Sequence, residues 1–158
     1  MRLVLFLIAT CILTATTYGQ VKVYNENSTY SGDVICTVNN DKIYKKNSTY
    51  SGDVICSIKD NKIYKANSTY SGDVLYNVKD GKVYEGTSTY SGDILITIRD
   101  GKIYKGTSTY SGDILANVRD GKVYKGTSTY SGDVLYNIKG QLTIVEFVAV
   151  WFAVRYSY

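Results

Sequence analysis

Val74-Leu75-Tyr76-Asn77-Val78 and Lys82-Val83-Tyr84-Glu85 are two short stretches rich in β-branched and aromatic residues, separated by Lys79-Asp80-Gly81. Short β-prone stretches on either side of Asp-Gly predict a hairpin closed by a type I′ turn, in which both central residues take positive φ. The pattern returns every twenty residues. Asp100-Gly101 and Asp120-Gly121 repeat the turn, and Asn40-Asp41 and Asp60-Asn61 replace it with residues that also tolerate positive φ. Five hairpins result. The stretch Asp133-Val134-Leu135-Tyr136-Asn137-Ile138 has no following partner strand, and Val21 to Asn25 has no preceding one. Pairing these two orphans would close the hairpins into a ring and remove two long edges open to other chains.

Position-by-position comparison of the copies assigns faces. Across an Asp-Gly turn Val78 opposes Val83 and Asn77 opposes Tyr84. Simple alternation then puts Val74, Tyr76, Val78 and Val83 on one face and Leu75, Asn77 and Tyr84 on the other. Positions equivalent to 75, 78, 83 and 84 hardly vary, as expected where each copy meets the same neighbours in a symmetric ring. The series Cys36, Cys56, Tyr76, Ile96, Ala116, Tyr136 varies widely in size yet stays largely apolar, so it should face a buried partner that lacks the ring's symmetry. The series Asn25, Lys45, Lys65, Glu85, Lys105, Lys125 has the variety that solvent allows.

The asymmetric partner follows the last repeat, in QLTIVEFVAVWFAVRYSY. Thr143 and Glu146 stand at capping-box spacing for a helix start. From Ile144 to Tyr158 only Glu146 and Arg155 are charged, and apolar side chains go all the way round. Such a helix is buried in protein or in lipid. Fifteen residues reach about 22 Å at 1.5 Å each, short for a bilayer, so the helix is expected to plug the ring. The predicted fold is all-β with one C-terminal helix: a closed ring of 20-residue antiparallel β-hairpin repeats, barrel-like, around a buried helix.

The first residues change the cellular picture. MRLVLFLIATCILTATTYGQ has Arg2, an apolar run from Leu3 to Leu13, then small and polar residues, the layout of a secretory signal peptide. Residues 1–20 are read as that leader, 21–140 as six repeats and 141–158 as the helix. The protein is expected to be secreted or periplasmic and not membrane-spanning after signal removal; a second reading makes it a lipoprotein through Cys11. The net charge of +4, one less without Arg2, is spread over the repeats and lacks the density of a nucleic-acid patch. With no histidine in the chain, there is no imidazole base or histidine metal ligand. Cys36 and Cys56 stand at equivalent positions of adjacent repeats. If each repeat adds two strands, their backbones lie roughly 10 Å apart, beyond the roughly 7 Å limit for bridging. Both read as small apolar fillers.

The units typified by YSGDVLYNVKDGKVYKG, with the secretion signal before them and LTIVEFVAVWFAVRYSY after them, resemble the five-fold β-flower family of secreted Bacteroidetes repeat proteins. The resemblance covers essentially the whole mature chain. It implies hairpin petals around an axis, five by the family name, where six copies of STYSGD closing end to end would give six. It implies no activity, cofactor or site residue.

Two polar series remain as candidate chemistry. Asp33, Asp53, Asp73, Asp93, Asp113 and Asp133 could form a carboxylate ring for calcium. One acid per repeat suits better a Ser-Gly-Asp turn in which each Asp bonds nearby backbone N–H groups, so no metal or other cofactor is expected. The tyrosines fall into two rows. Tyr24, Tyr44, Tyr64, Tyr84, Tyr104 and Tyr124 sit in mid-strand and are expected to be mostly buried between petals. Tyr30, Tyr50, Tyr70, Tyr90, Tyr110 and Tyr130 sit in the connecting hexads and are the candidate ligand-binding residues, since open aromatic rows stack on sugar faces; twenty-residue hairpin repeats with aromatics also resemble the choline-binding modules of cell-wall proteins. Asn27, Asn47 and Asn67 fit the glycosylation pattern, which marks them as surface loop. Every polar group is copied round the ring, so the unlike pairs that catalysis needs are scarce, and no enzyme is expected. The expected function is a non-catalytic secreted or envelope-associated module for surface or glycan/cell-wall interaction, with a cell-envelope glycan or another surface protein as partner and no nucleic acid. The alternative is a purely structural or assembly protein without a small ligand.

Overall fold

The structure, a computed structural model, describes residues 19–156, with side chains through Arg155. Most of the leader, including Cys11, lies outside the described residues. Twelve strands form the ring: β1 (Val21–Asn25), β2 (Val34–Asn39), β3 (Lys42–Lys45), β4 (Val54–Lys59), β5 (Lys62–Lys65), β6 (Val74–Lys79), β7 (Lys82–Glu85), β8 (Ile94–Arg99), β9 (Lys102–Lys105), β10 (Ile114–Arg119), β11 (Lys122–Lys125) and β12 (Val134–Lys139). Each is antiparallel to its neighbours, and β1 pairs with β12 through Val23↔Ile138 and Tyr24↔Asn137 to close the barrel. The five hairpin turns have positive φ at both central residues, such as 51° at Asp80 and 72° at Gly81, as type I′ requires. The glycine matters most at Gly81, where a Cβ would lie 2.6 Å from the Ile98 carbonyl oxygen.

Simple alternation fails at one point per repeat. Tyr64 pairs with Val74 and Ile63 with Tyr76, which leaves Leu75 without a partner residue. The same β-bulge recurs between every hairpin and the next. Two residues then oppose one and the face reverses. The Val74 position joins the outer face beside the tyrosines, and Ile35, Ile55, Leu95 and Leu115 turn inward onto the core. This corrects the expected grouping of Val74 with Tyr76. The unpaired residue's carbonyl is still used: Gly86 N–H donates to Leu75 O at 2.9 Å, and Lys46 N–H to Ile35 O at 2.9 Å.

The inside of the barrel is filled by α1 (Ile144–Tyr156). Thr143 N–H and Oγ1 both donate to Glu146 Oε2, at 2.8 and 2.9 Å, and Glu146 N–H returns to Thr143 Oγ1 at 3.3 Å, so the capping box is formed. Val148, Ala149, Val150 and Trp151 are buried on successive sides of the helix, which leaves no polar face. Cys36, Cys56, Ile96, Ala116 and Tyr136 are buried in the same core, and Tyr76 stacks on Phe152 with ring centroids 4.0 Å apart. The size-variable series therefore lines the helix. The helix lies closest to β2, β3, β4 and β5, the side where the lining residues are the two cysteines. Small side chains let it approach, and the bulkier Tyr76, Ile96 and Tyr136 occupy much of the remaining circumference. No helix among the described residues is long and apolar enough to cross a membrane.

Candidate functional site

The polar hexads all lie at one end of the barrel, opposite the hairpin tips, because each connects the end of one odd-numbered strand to the start of the next. Within a hexad the local bonding repeats closely. Tyr30 N–H donates to Ser28 Oγ at 3.1 Å, Ser28 Oγ–H donates to Asp33 Oδ2 at 2.6 Å, and Asp33 N–H donates to Tyr30 O at 3.0 Å. Ser31–Asp33 and its five counterparts form one 3-10 turn each. The aspartates are thus structural, though the carboxylate's partner is the serine hydroxyl, where backbone N–H groups were expected. The hydroxyl acts as a hinge pin between the start and end of the hexad.

A second set of bonds fastens the segment leading into the hexad to the outer wall. Thr37 Oγ1 donates to Lys46 O at 2.8 Å, Asn77 Nδ2 to Ser88 O at 3.0 Å, and Asn117 Nδ2 to both Gly126 O and Ser128 O at 2.9 and 2.8 Å. Asn137 Nδ2 reaches Ser28 O at 3.1 Å and joins the last repeat to the first. These outward polar residues are buried under the chain they hold, except Asn117, which is half-buried. The mid-strand tyrosines Tyr44, Tyr64, Tyr84, Tyr104 and Tyr124 are buried with them, and Tyr24 is half-buried.

The hexad tyrosines are different. Tyr30, Tyr50, Tyr70, Tyr90, Tyr110 and Tyr130 are each 78–79 % exposed. Their backbones are nearly superimposable, with φ between −81° and −75° and ψ between 139° and 144°. The structure therefore presents all six candidate residues in the same way, one per petal, each on a loop fixed by the Ser–Asp bond. Most of each ring lies in water.

The mouth enclosed by the hexads holds features that sequence reasoning missed. Cys36 pairs with Lys45 across its hairpin, so Lys45 projects on the inner face at the rim. Lys65, Lys105 and Lys125 repeat this placement, opposite Cys56, Ile96 and Ala116. The register signal was present, because residue 45 is two past the inward Ile43. Position 46 has positive φ in every repeat, from 48° at Glu26 to 56° at Gly106 and Gly126, whether or not it is glycine. At the C-terminal end of the helix Arg155 lies 4.8 Å from the Trp151 ring centroid. Just inside, Tyr136 is 1 % exposed and its hydroxyl finds no hydrogen-bond partner among the described residues. Burial, and after it the nearby Cys36 sulfur, pushes that phenol well above its ordinary pKa. Burial also pushes the Cys36 and Cys56 thiols from 9.0 up to about 12. Both are free thiols, chemically quiet at neutral pH.

These features define a class of protein: a closed antiparallel barrel of repeated hairpin petals, plugged by its own helix, with a repeated aromatic display around one mouth. The chain belongs to the family described as 6-fold beta flower protein, which matches residues 23–151. The β1·β12 closure supplies the sixth petal, so the five-fold count implied by the resemblance is corrected to six. An X-ray structure of an Arabidopsis thaliana protein is similar at a TM-score of 0.46 and 15 % identity, over 85 % of this chain and 87 % of that one. No curated protein matches the sequence. The family's description names no catalytic activity.

Proposed function

We propose that the protein is a non-catalytic, multivalent recognition module of the cell envelope or the secreted fraction, and that its six hexad tyrosines stack on the sugar faces of a cell-wall or surface glycan. The observation that carries this reading is their uniform exposure on rigid, identical loops. Serine and aspartate of the hexad are needed to form the loop; tyrosine is not. An aromatic repeated six times in water has no folding reason to stay the same, whereas the exposed strand-end series from Asn25 to Lys125 takes three residue types, Asn, Lys and Glu. An aromatic ring offers a large contact area at low entropic cost. Each site alone would be weak, and a polymer that engages several at once gains by effective concentration. The leader sequence supports export of the mature chain to where such polymers lie.

Binding of the mature protein to a glycan array and to insoluble wall fragments tests this. Replacing Tyr30, Tyr50 and Tyr70 with Ala should leave the fold intact, because each is 79 % exposed, and should weaken polymer binding more than tenfold while barely changing the already weak binding of a single sugar unit. If no glycan or wall fragment binds, or the triple variant binds like the parent, the recognition reading fails and a purely structural or assembly role takes its place.

A further inference from the structure

The mouth is not symmetric. On the side of the first two petals a cleft of about 300 Å³ opens between helix and wall, floored by Ile35, Cys36, Ile55, Ala153 and Val154 and edged by Lys45 and Lys46. A smaller apolar pocket of about 150 Å³ lies beside it and shares Ile55 and Ala153, with Cys56, Tyr76 and Phe152 in its lining. The small side chains of Cys36 on the wall and Ala153 on the helix face this cleft. The floor offers no charged group. The rim offers two ammonium groups, with Lys65 at the equivalent rim position of the next petal. Asp33, at the neighbouring opening that shares Lys46, has its carboxylate occupied by Ser28 Oγ–H.

From this arrangement we infer a second binding site, for an amphipathic anion: a single unbranched acyl chain lying along the apolar floor with its carboxylate between Lys45 and Lys46. The volume is at the small end of small-molecule sites, which favours one chain over a two-chain lipid. An apolar floor with a cationic edge rewards a ligand of the opposite charge at one end and uncharged hydrocarbon at the other. The site is independent of the tyrosine display. It lies on one side of the ring, where the helix faces β2 to β5 and the lining residues are Cys36 and Cys56.

Isothermal titration of the full mature chain with decanoate, below its micellar concentration, tests the inference. The expected result is one bound chain per protein, with decyltrimethylammonium binding at least tenfold more weakly. The double variant Lys45→Glu, Lys46→Glu should lose at least tenfold in affinity for decanoate. Lys105→Glu, the same rim position across the ring, should lose less than twofold. The Tyr30, Tyr50, Tyr70 triple variant should bind decanoate like the parent, which separates failure here from failure of the glycan reading. No binding, several chains per molecule, equal binding of the cationic probe, or equal losses in the Lys105 and Lys45/Lys46 variants would each overturn it.

Discussion

At the scale of the residue, the repeats allow one position to be compared in six contexts. The residue after each inward rim position has a left-handed backbone, and three of the six copies fill it with a side chain: Glu26, Lys46 and Ala66. A non-glycine residue there costs roughly 1 kcal/mol, partly offset by the extra chain entropy that glycine loses on folding. Gly86→Ala should therefore lower stability by about half a kcal/mol, since its Cβ would find room, 4.0 Å from the Val74 carbonyl oxygen, and only the backbone conformation is penalised. Ala66→Gly should gain a few tenths in chemical denaturation. A gain in the first variant would remove the strain account. Tyr136 makes a second residue-scale case. Its buried hydroxyl is desolvated without return, and that costs about 1–3 kcal/mol. Tyr136→Phe keeps the ring and removes the cost, so the unfolding midpoint should rise; a fall would mean that the hydroxyl is paired in solution.

At the scale of the element, the hairpins and the helix depend on each other. A short hairpin is marginal alone, and the helix has no polar face with which to meet water. Trp151, the chain's single tryptophan, is 1 % exposed and packs where no symmetric wall residue could be shaped for it. Trp151→Ala should cost about 3–5 kcal/mol and leave a chain that binds hydrophobic dyes. Loss of all 141–158 should prevent a cooperative thermal transition. A truncated chain that melts like the parent would show that the wall closes without its core. The hairpin turns, the closure and the cap were legible because each rests on neighbours in sequence or on counting strands. The bulge was not. Nothing in Val74-Leu75-Tyr76 distinguishes a plain alternating strand from one that reverses face, because both residues are apolar and both faces of this strand are covered.

At the scale of the whole molecule, the buried thiols tie stability to pH. Cys36 and Cys56 are held at about 12 against an ordinary 9.0, chiefly by burial. Below pH 9 both states keep these protons and the thiols contribute nothing to pH dependence. Above it the unfolded chain releases them while the folded chain retains them, so stability falls progressively from pH 9 towards 12. Denaturation curves should show no thiol contribution from pH 7 to 8.5 and a decline from pH 9 to 10 that the Cys36→Ala, Cys56→Ala double variant reduces. An unchanged decline would show that the thiols are not buried in solution. Native protein at pH 8 should also resist thiol alkylation until it is unfolded.

The sequence by itself determined the petals, their number once the ends pair, the helix and its cap, and which series lines it, because turn chemistry and a twenty-residue period act locally and repeat. Which hexad side chains are left in water, where the bulge turns a leucine inward and where helix and wall fail to meet were decided only by the tertiary structure. A repeat constrains what each copy shares, whereas exposure and cavities depend on how unlike side chains from distant copies come together around one asymmetric core.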